Sequence, residues 1–173
     1  MKKIIIFSTI ALAAILSGCA TLRPSTLRPT TITRNSEDNL KNYSYFYVNP
    51  AGAKTGSAGY VTGGNYGVYG SSSTRTTDPC DIISGYLIKL GYVRVATIDE
   101  NISDKTLVIS YGETGRIPAG LGYTIEVTLQ FTSAKTHAPV CTVTGEGQGE
   151  TEADDIRIAI LRCLDTAFSP TNN

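Results

Sequence analysis

The chain has 173 residues, with 15 Lys and Arg against 15 Asp and Glu, 17 glycines, ten tyrosines and no tryptophan. That balance excludes the basic surplus with which nucleic-acid binders hold phosphate. The length supports one hydrophobic core of ordinary size.

The chain opens with Lys2 and Lys3, an apolar run from Ile4 to Ile15 broken only by Ser8 and Thr9, and then Leu16-Ser17-Gly18-Cys19. A basic n-region, an apolar h-region and small residues before a cleavage point are the layout of an export signal. The apolar run is shorter than the ~20 residues a spanning helix needs. Leu16-Ser17-Gly18-Cys19 resembles the lipobox of a bacterial lipoprotein. The resemblance implies cleavage between Gly18 and Cys19, loss of residues 1–18, and a diacylglyceryl thioether on the Cys19 sulfur. Two or more acyl chains anchor firmly, at ~0.8 kcal/mol per buried CH₂. Residue 20 is Ala rather than Asp, which resembles the pattern of lipoproteins sent to the outer membrane. The expected location is the periplasmic face of that membrane.

Residues 19–42 are expected to form a lipidated extended tether, because Thr21-Leu22-Arg23-Pro24 recurs at Thr26-Leu27-Arg28-Pro29 and prolines favour polyproline-like chain. Arg23, Arg28 and Arg34 lie in it with no acid before Glu37, so it either rests on anionic headgroups or is a solvated linker.

Tyr43–Val48 predicts a strand, stopped by Asn49-Pro50. Residues 51–77 are rich in Gly, Tyr, Ser and Thr. They read either as a hairpin turning at Gly63-Gly64-Asn65 or as a weakly ordered excursion. A helix is predicted from Pro79 to Leu90. Asp78 is its cap, Pro79 its first residue and Gly91 its left-handed stop, and Ile82, Ile83, Tyr86, Leu87 and Leu90 form its apolar stripe. Tyr92–Ile98 and Leu107–Tyr111 predict strands, with a break over Gly112–Gly122. From Tyr123 to Phe131 apolar and polar residues alternate, the mark of a strand with one buried face. Val140–Thr144 should pair with it antiparallel after the turn at Ser133–Pro139. The last helix is predicted from Glu152 to Phe168, with Thr151 and Asp154 as a capping box.

These elements predict an α+β fold: one two-layer domain over residues 43–169, with a mixed or mostly antiparallel sheet of about five strands and two helices packed on one face. The order resembles that of small α/β domains of outer-membrane lipoproteins, many of them families of unknown function. The resemblance rests on the helix ending in Leu90-Gly91-Tyr92, the strand Leu107–Tyr111, the hairpin through Ala138-Pro139 and the closing helix near Phe168.

No residue pattern identifies a catalytic device. His137 lies in a polar turn without a G-x-S-x-G elbow, so an exposed turn residue is the expected reading. Glu146, Glu150, Glu152, Asp154 and Asp155 do not have EF-hand spacing, and acids in a first helical turn stabilise it without an ion. Glu113 and Glu126 are the acids considered for glycoside hydrolysis, which needs two carboxylates facing each other in a cleft. No metal or other cofactor is expected. Cys141 and Cys163 are expected to be buried thiols; a disulfide among Cys80, Cys141 and Cys163 is the alternative. Tyr60, Tyr66 and Tyr69, set among Gly and Ser, are the candidate binding surface, since such loops bind adaptably; covering the domain's own core is their other reading.

The function expected is therefore a non-catalytic envelope lipoprotein that binds or scaffolds an envelope protein or glycan, with the membrane as a partner through Cys19. An envelope hydrolase acting on glycan or peptide, and a subunit of a transport or secretion assembly, are the alternatives.

Overall fold

The computed structural model describes residues 27–64, 67–119 and 122–169, with the backbone alone for 58–64, 67–73, 119 and 122. In chain order the elements are β1 (Thr31–Arg34), β2 (Tyr45–Val48), β3 (Lys54–Gly64), β4 (Gly67–Thr77), α1 (Pro79–Lys89), β5 (Val93–Arg94), β6 (Thr106–Ala119), β7 (Gly122–Ser133), β8 (Pro139–Gly147) and α2 (Glu152–Phe168). Six strands form one mixed sheet in the order β1-β8-β7-β6-β2-β5, and β3 and β4 form a separate two-stranded sheet. The β1/β8, β8/β7 and β7/β6 pairs are antiparallel, and β2 is parallel to both β6 and β5.

Both helices pack on one face, as expected of the α+β plan. The alternation in β7 puts Ile125, Val127, Leu129 and Phe131 on that face, all at 1% exposure or less. Register aligns Val143 and Cys141 of β8, and Ile109 of β6, with them. Ile83 and Leu87 of α1 and Ile156, Ile160 and Leu164 of α2 close the core from above. Such side chains stabilise by about 1.5–3 kcal/mol each when fully buried. Gly145 and Gly147 let α2 lie close on β8. A Cβ at Gly147 would sit 1.8 Å from the Asp155 carbonyl oxygen and 2.6 Å from the Ala159 nitrogen.

The helix ends follow their local signals. Asp78 caps α1 by accepting from the Cys80 N–H at 2.8 Å, and Gly91 ends it at φ +91°. Thr151 caps α2 by accepting from the Asp154 N–H at 3.2 Å, and its hydroxyl donates to the Asp154 carboxylate at 2.8 Å.

Four expectations need correction. Thr31–Arg34, assigned to the tether, is a strand of the sheet and pairs along β8 from Cys141 to Thr144. The tether's far end is also structured, since Leu40–Asn42 form a 3-10 turn with Leu40 2% exposed. The strand from Leu107 does not stop at Tyr111. It continues to Ala119 because the long β7 supplies backbone partners throughout, and a bulge between Glu113 and Gly115 absorbs the extra residue. The expected strand Tyr92–Ile98 shrinks to Val93–Arg94, which pairs only with β2 at the sheet's edge.

Candidate functional site

Residues 51–77 contain an eleven-residue-per-strand hairpin rather than a loose excursion. Its pairs run without interruption from Lys54 opposite Thr77 to Gly64 opposite Gly67. At ~3.3 Å per residue it is ~36 Å long. Tyr60 stands opposite Ser71, and Tyr69 opposite Thr62. Tyr66 and the side chains of Tyr60 and Tyr69 lie outside the described residues, as do Gly18 and Cys19 of the proposed cleavage and lipidation site.

A two-stranded hairpin is marginal by itself in water, and the base of this one is held against the N-terminus of α2. Gly56 is buried there. A Cβ on it would lie 2.7 Å from the Ala153 nitrogen and 2.9 Å from the Glu152 nitrogen, so only glycine permits the approach. Two ion pairs flank the contact: Arg75 to Asp154 at 2.7 Å, and Lys54 to Glu113 at 2.8 Å. Lys54 and Arg75 are the only two charged residues of the hairpin strands, and both stand at the base. The distal Gly, Ser, Thr, Val and Tyr residues form an uncharged arm.

The carboxylates under the base carry the imprint of these contacts. Burial alone would raise the Glu113 carboxyl, but hydrogen bonds from Lys54 and Tyr111 outweigh it and hold the group below its ordinary range. Asp154 is likewise held low, with Thr151 and Arg75 overriding burial. Asp155 goes the other way. Burial raises it, and the charges of Asp154 and Glu152 add to the shift against the Gly149 N–H that bonds it. Beside them Arg116 pairs with Glu152 at 2.5 Å and lies 5.1 Å from the centre of the Tyr123 ring.

The acid cluster of residues 146–155 is therefore mostly occupied by the protein itself. Glu146 meets Arg28, Glu152 meets Arg116, Asp154 meets Arg75, and Asp155 accepts from Gly149. Their neutralising cations come from three distant segments, which the local sequence could not reveal. Among the described residues no group of three or more His, Cys, Asp or Glu side chains is placed to hold a metal ion.

The other sequence candidates are not brought together. Glu113 faces the hairpin through Lys54, whereas Glu126 accepts from the Thr114 hydroxyl at 2.8 Å and stands in register with Glu146. This Glu126–Glu146 neighbour pair was missed because it joins different strands; only the β7/β8 register reveals it. His137 is exposed in the β7–β8 turn at φ 58°. A cavity of about 270 Å³ lies between residues 34–42 and the end of α2, lined among others by Arg34, Leu40, Val140 and Phe168. It includes Glu37 and Asp38, neighbours on one loop, and Asp38 accepts from Tyr43 and from the Asn39 N–H. Cys80, Cys141 and Cys163 are buried free thiols.

No family model matches the chain, and no curated protein matches it in sequence. Among solved structures it is similar to the PelC dodecamer from Paraburkholderia phytofirmans, at 16% identity and a TM-score of 0.42, over 78% of this chain and 95% of that one. A single-substitution variant of that dodecamer aligns at 18% identity and a TM-score of 0.41, over 76% and 89% of the two chains. At these scores the likeness carries no argument about activity or assembly.

Proposed function

We propose that this chain is a lipid-anchored, non-catalytic binding module of the bacterial cell envelope. In this reading residues 1–18 are removed, Cys19 carries the lipid, and the domain sits at the periplasmic face of the outer membrane. The β3–β4 hairpin is the arm offered to an envelope protein or glycan. The observation that supports the arm is its construction: a paired hairpin outside the main sheet, charged only at its base and fixed there by Gly56 and two ion pairs. Uncharged Gly, Ser and Tyr side chains suit adaptable recognition. The lipobox resemblance of Leu16-Ser17-Gly18-Cys19 supports the anchor. No helix among the described residues is long and apolar enough to cross a membrane, so anchoring in this reading falls to the lipid.

Two measurements test the two halves. Mass spectrometry of protein extracted from native membranes is expected to find Cys19 as an acylated N-terminus. An unmodified sulfur, or residues 1–18 still attached, would end the anchor reading. Shortening the hairpin by removing residues 58–73 and closing Ser57 to Thr74 with a Gly-containing turn should leave the fold intact and abolish capture of specific partners from detergent-solubilised envelopes. Unchanged capture would remove the hairpin from the account.

A further inference from the structure

The segment assigned to the tether is partly fastened to the domain. Arg28 brings its Nε to 2.9 Å from Glu146 Oε1, and its backbone N–H donates to Oε2 at 3.2 Å. Glu146 is 4% exposed and stands in register with Glu126 on the neighbouring strand. Carboxylates directly opposite on a sheet repel, and a buried one needs a cation. The sheet thus has a negative seat, and an arginine of the N-terminal segment fills it. Arg162 adds a second grip. It donates to the Glu146 carbonyl and, at 2.8 Å, to the Arg28 carbonyl.

The next six residues repeat the device. Arg34 donates to the Ala167 carbonyl at 2.8 Å and the Thr166 carbonyl at 3.3 Å, capping the last turn of α2. β1 starts three residues after Arg28 and ends on Arg34. It is an edge strand of four residues, of which only Ile32 packs against the core while Thr31, Thr33 and Arg34 are exposed. The strand has backbone pairing and two charged clasps, with little apolar burial. Elements of that kind occupy the low end of the local-stability range.

We propose that β1 is a releasable strap. With the clasps closed, the leash from Cys19 to the domain ends at Arg28, nine residues on, a reach of at most ~32 Å for any chain of that length. With both clasps open, the first firm anchor is Leu40, which is buried in the core. The leash then runs to Asn39, twenty residues on, a reach of at most ~72 Å. The same domain therefore works at two distances from its membrane, set by two arginines. The leash length rests on lipidation at Cys19; the strap does not.

The test uses full-length lipidated protein in vesicles of phosphatidylethanolamine and phosphatidylglycerol. A donor dye is placed on Lys135→Cys, in the exposed β7–β8 turn, and acceptors in the lipid headgroups. The three native thiols in the domain are buried. Arg28→Ala/Arg34→Ala is expected to raise amide exchange across Thr31–Arg34 at least tenfold, leave β7 protected, and lower energy transfer to the headgroups. Unchanged exchange over β1 overturns the strap. Faster exchange with unchanged transfer overturns the two-distance leash. Should the double variant lose protection in β7, Glu146→Gln opens the first clasp alone; faster exchange over Thr31–Arg34 is then expected, and unchanged exchange overturns the strap. Protein that never enters the vesicles defeats the lipid anchor, and the exchange measurement in solution still decides the strap.

Discussion

Gly56→Ala is the sharpest probe of the hairpin's attachment. The new methyl group would lie 2.7 Å from the Ala153 nitrogen and 2.9 Å from the Glu152 nitrogen. Ordinary contact begins at 3.4 Å, so something must retreat by about 0.7 Å. The helix is the less able to move, because Ala153 and Ile156 are fixed in the core at 1% and 0% exposure. The hairpin must lift instead, and its lifting stretches the Arg75–Asp154 and Lys54–Glu113 pairs. Overpacking of this kind costs about 1–3 kcal/mol. The two pairs are exposed on their basic sides and add at most ~1 kcal/mol each. Most of the strain escapes by undocking, so a local loss of about 1–2 kcal/mol is expected, or a five- to thirtyfold shift in the docked population. Hydrogen-exchange mass spectrometry should show that acceleration in Lys54–Ser57 and Thr74–Thr77, with β7 and β8 unchanged. Gly52→Ala is the control, since no atom lies within 4 Å of its new methyl group. Equal exchange in the Gly56→Ala and Gly52→Ala proteins would refute the claim that a backbone-to-backbone approach holds the hairpin.

Gly147→Ala drives a methyl group into the backbone of α2 and should cost about 3 kcal/mol, the top of the overpacking range, lowering the thermal midpoint by about 10 °C; a midpoint within about two or three degrees of wild type would contradict the packing described. Burial pushes the Cys163 thiol up to about 12 and raises those of Cys80 and Cys141, so none of the three should react with a thiol reagent at neutral pH until the domain unfolds. Rapid labelling of the native domain would contradict this. Glu113 and Asp154 are held low when folded, so their stabilisation is complete above the unfolded carboxyl range near pH 4 and is lost as pH falls through the folded values. Thermal midpoints measured by circular dichroism should fall on acidification, and Glu113→Gln/Asp154→Asn should flatten that fall. An identical acid slope in both proteins would count against these two groups.

What was legible in the sequence was local. Asp78 and Pro79 mark the start of α1 and Gly91 its end, each signal within two residues of the terminus it sets, and Thr151 with Asp154 fixes the start of α2. The strict alternation of β7 declared both its strand and its buried face. What escaped was decided by partners far away in the chain. Thr31–Arg34 is only four residues long and follows directly on a proline repeat, so its β-branched residues do not stand out, and it becomes a strand because β8 offers a free edge. Gly112–Ala119 reads as a break, yet it is carried along by β7 and its bulge. The glycine-rich stretch gave both a hairpin and a loop as readings, since glycine weakens the strand signal that Tyr, Val and Thr supply.

The charge distribution shows the same logic at the level of the site. Residues 136–156 hold five acids and no Lys or Arg, an asymmetry whose only local explanation is the favourable placing of acids at a helix start. In the fold, Arg28 arrives from the N-terminal segment and ends on Glu146 of β8, while Arg75 from the hairpin and Arg116 from β6 end on Asp154 and Glu152 in the first turn of α2. The Arg75–Asp154 and Arg116–Glu152 pairs are exposed on their basic sides and individually weak, and Arg28–Glu146 joins an exposed arginine to a buried carboxylate of β8, so these pairs are not what makes the core. The core is fixed by the apolar faces of the sheet and helices, and the pairs act on segments that have little apolar burial of their own. That division lets the strap and the hairpin open while β6, β7, β8 and α2 stay folded. The two parts proposed to set membrane distance and to meet a partner are the parts held chiefly by charge and by one close glycine contact.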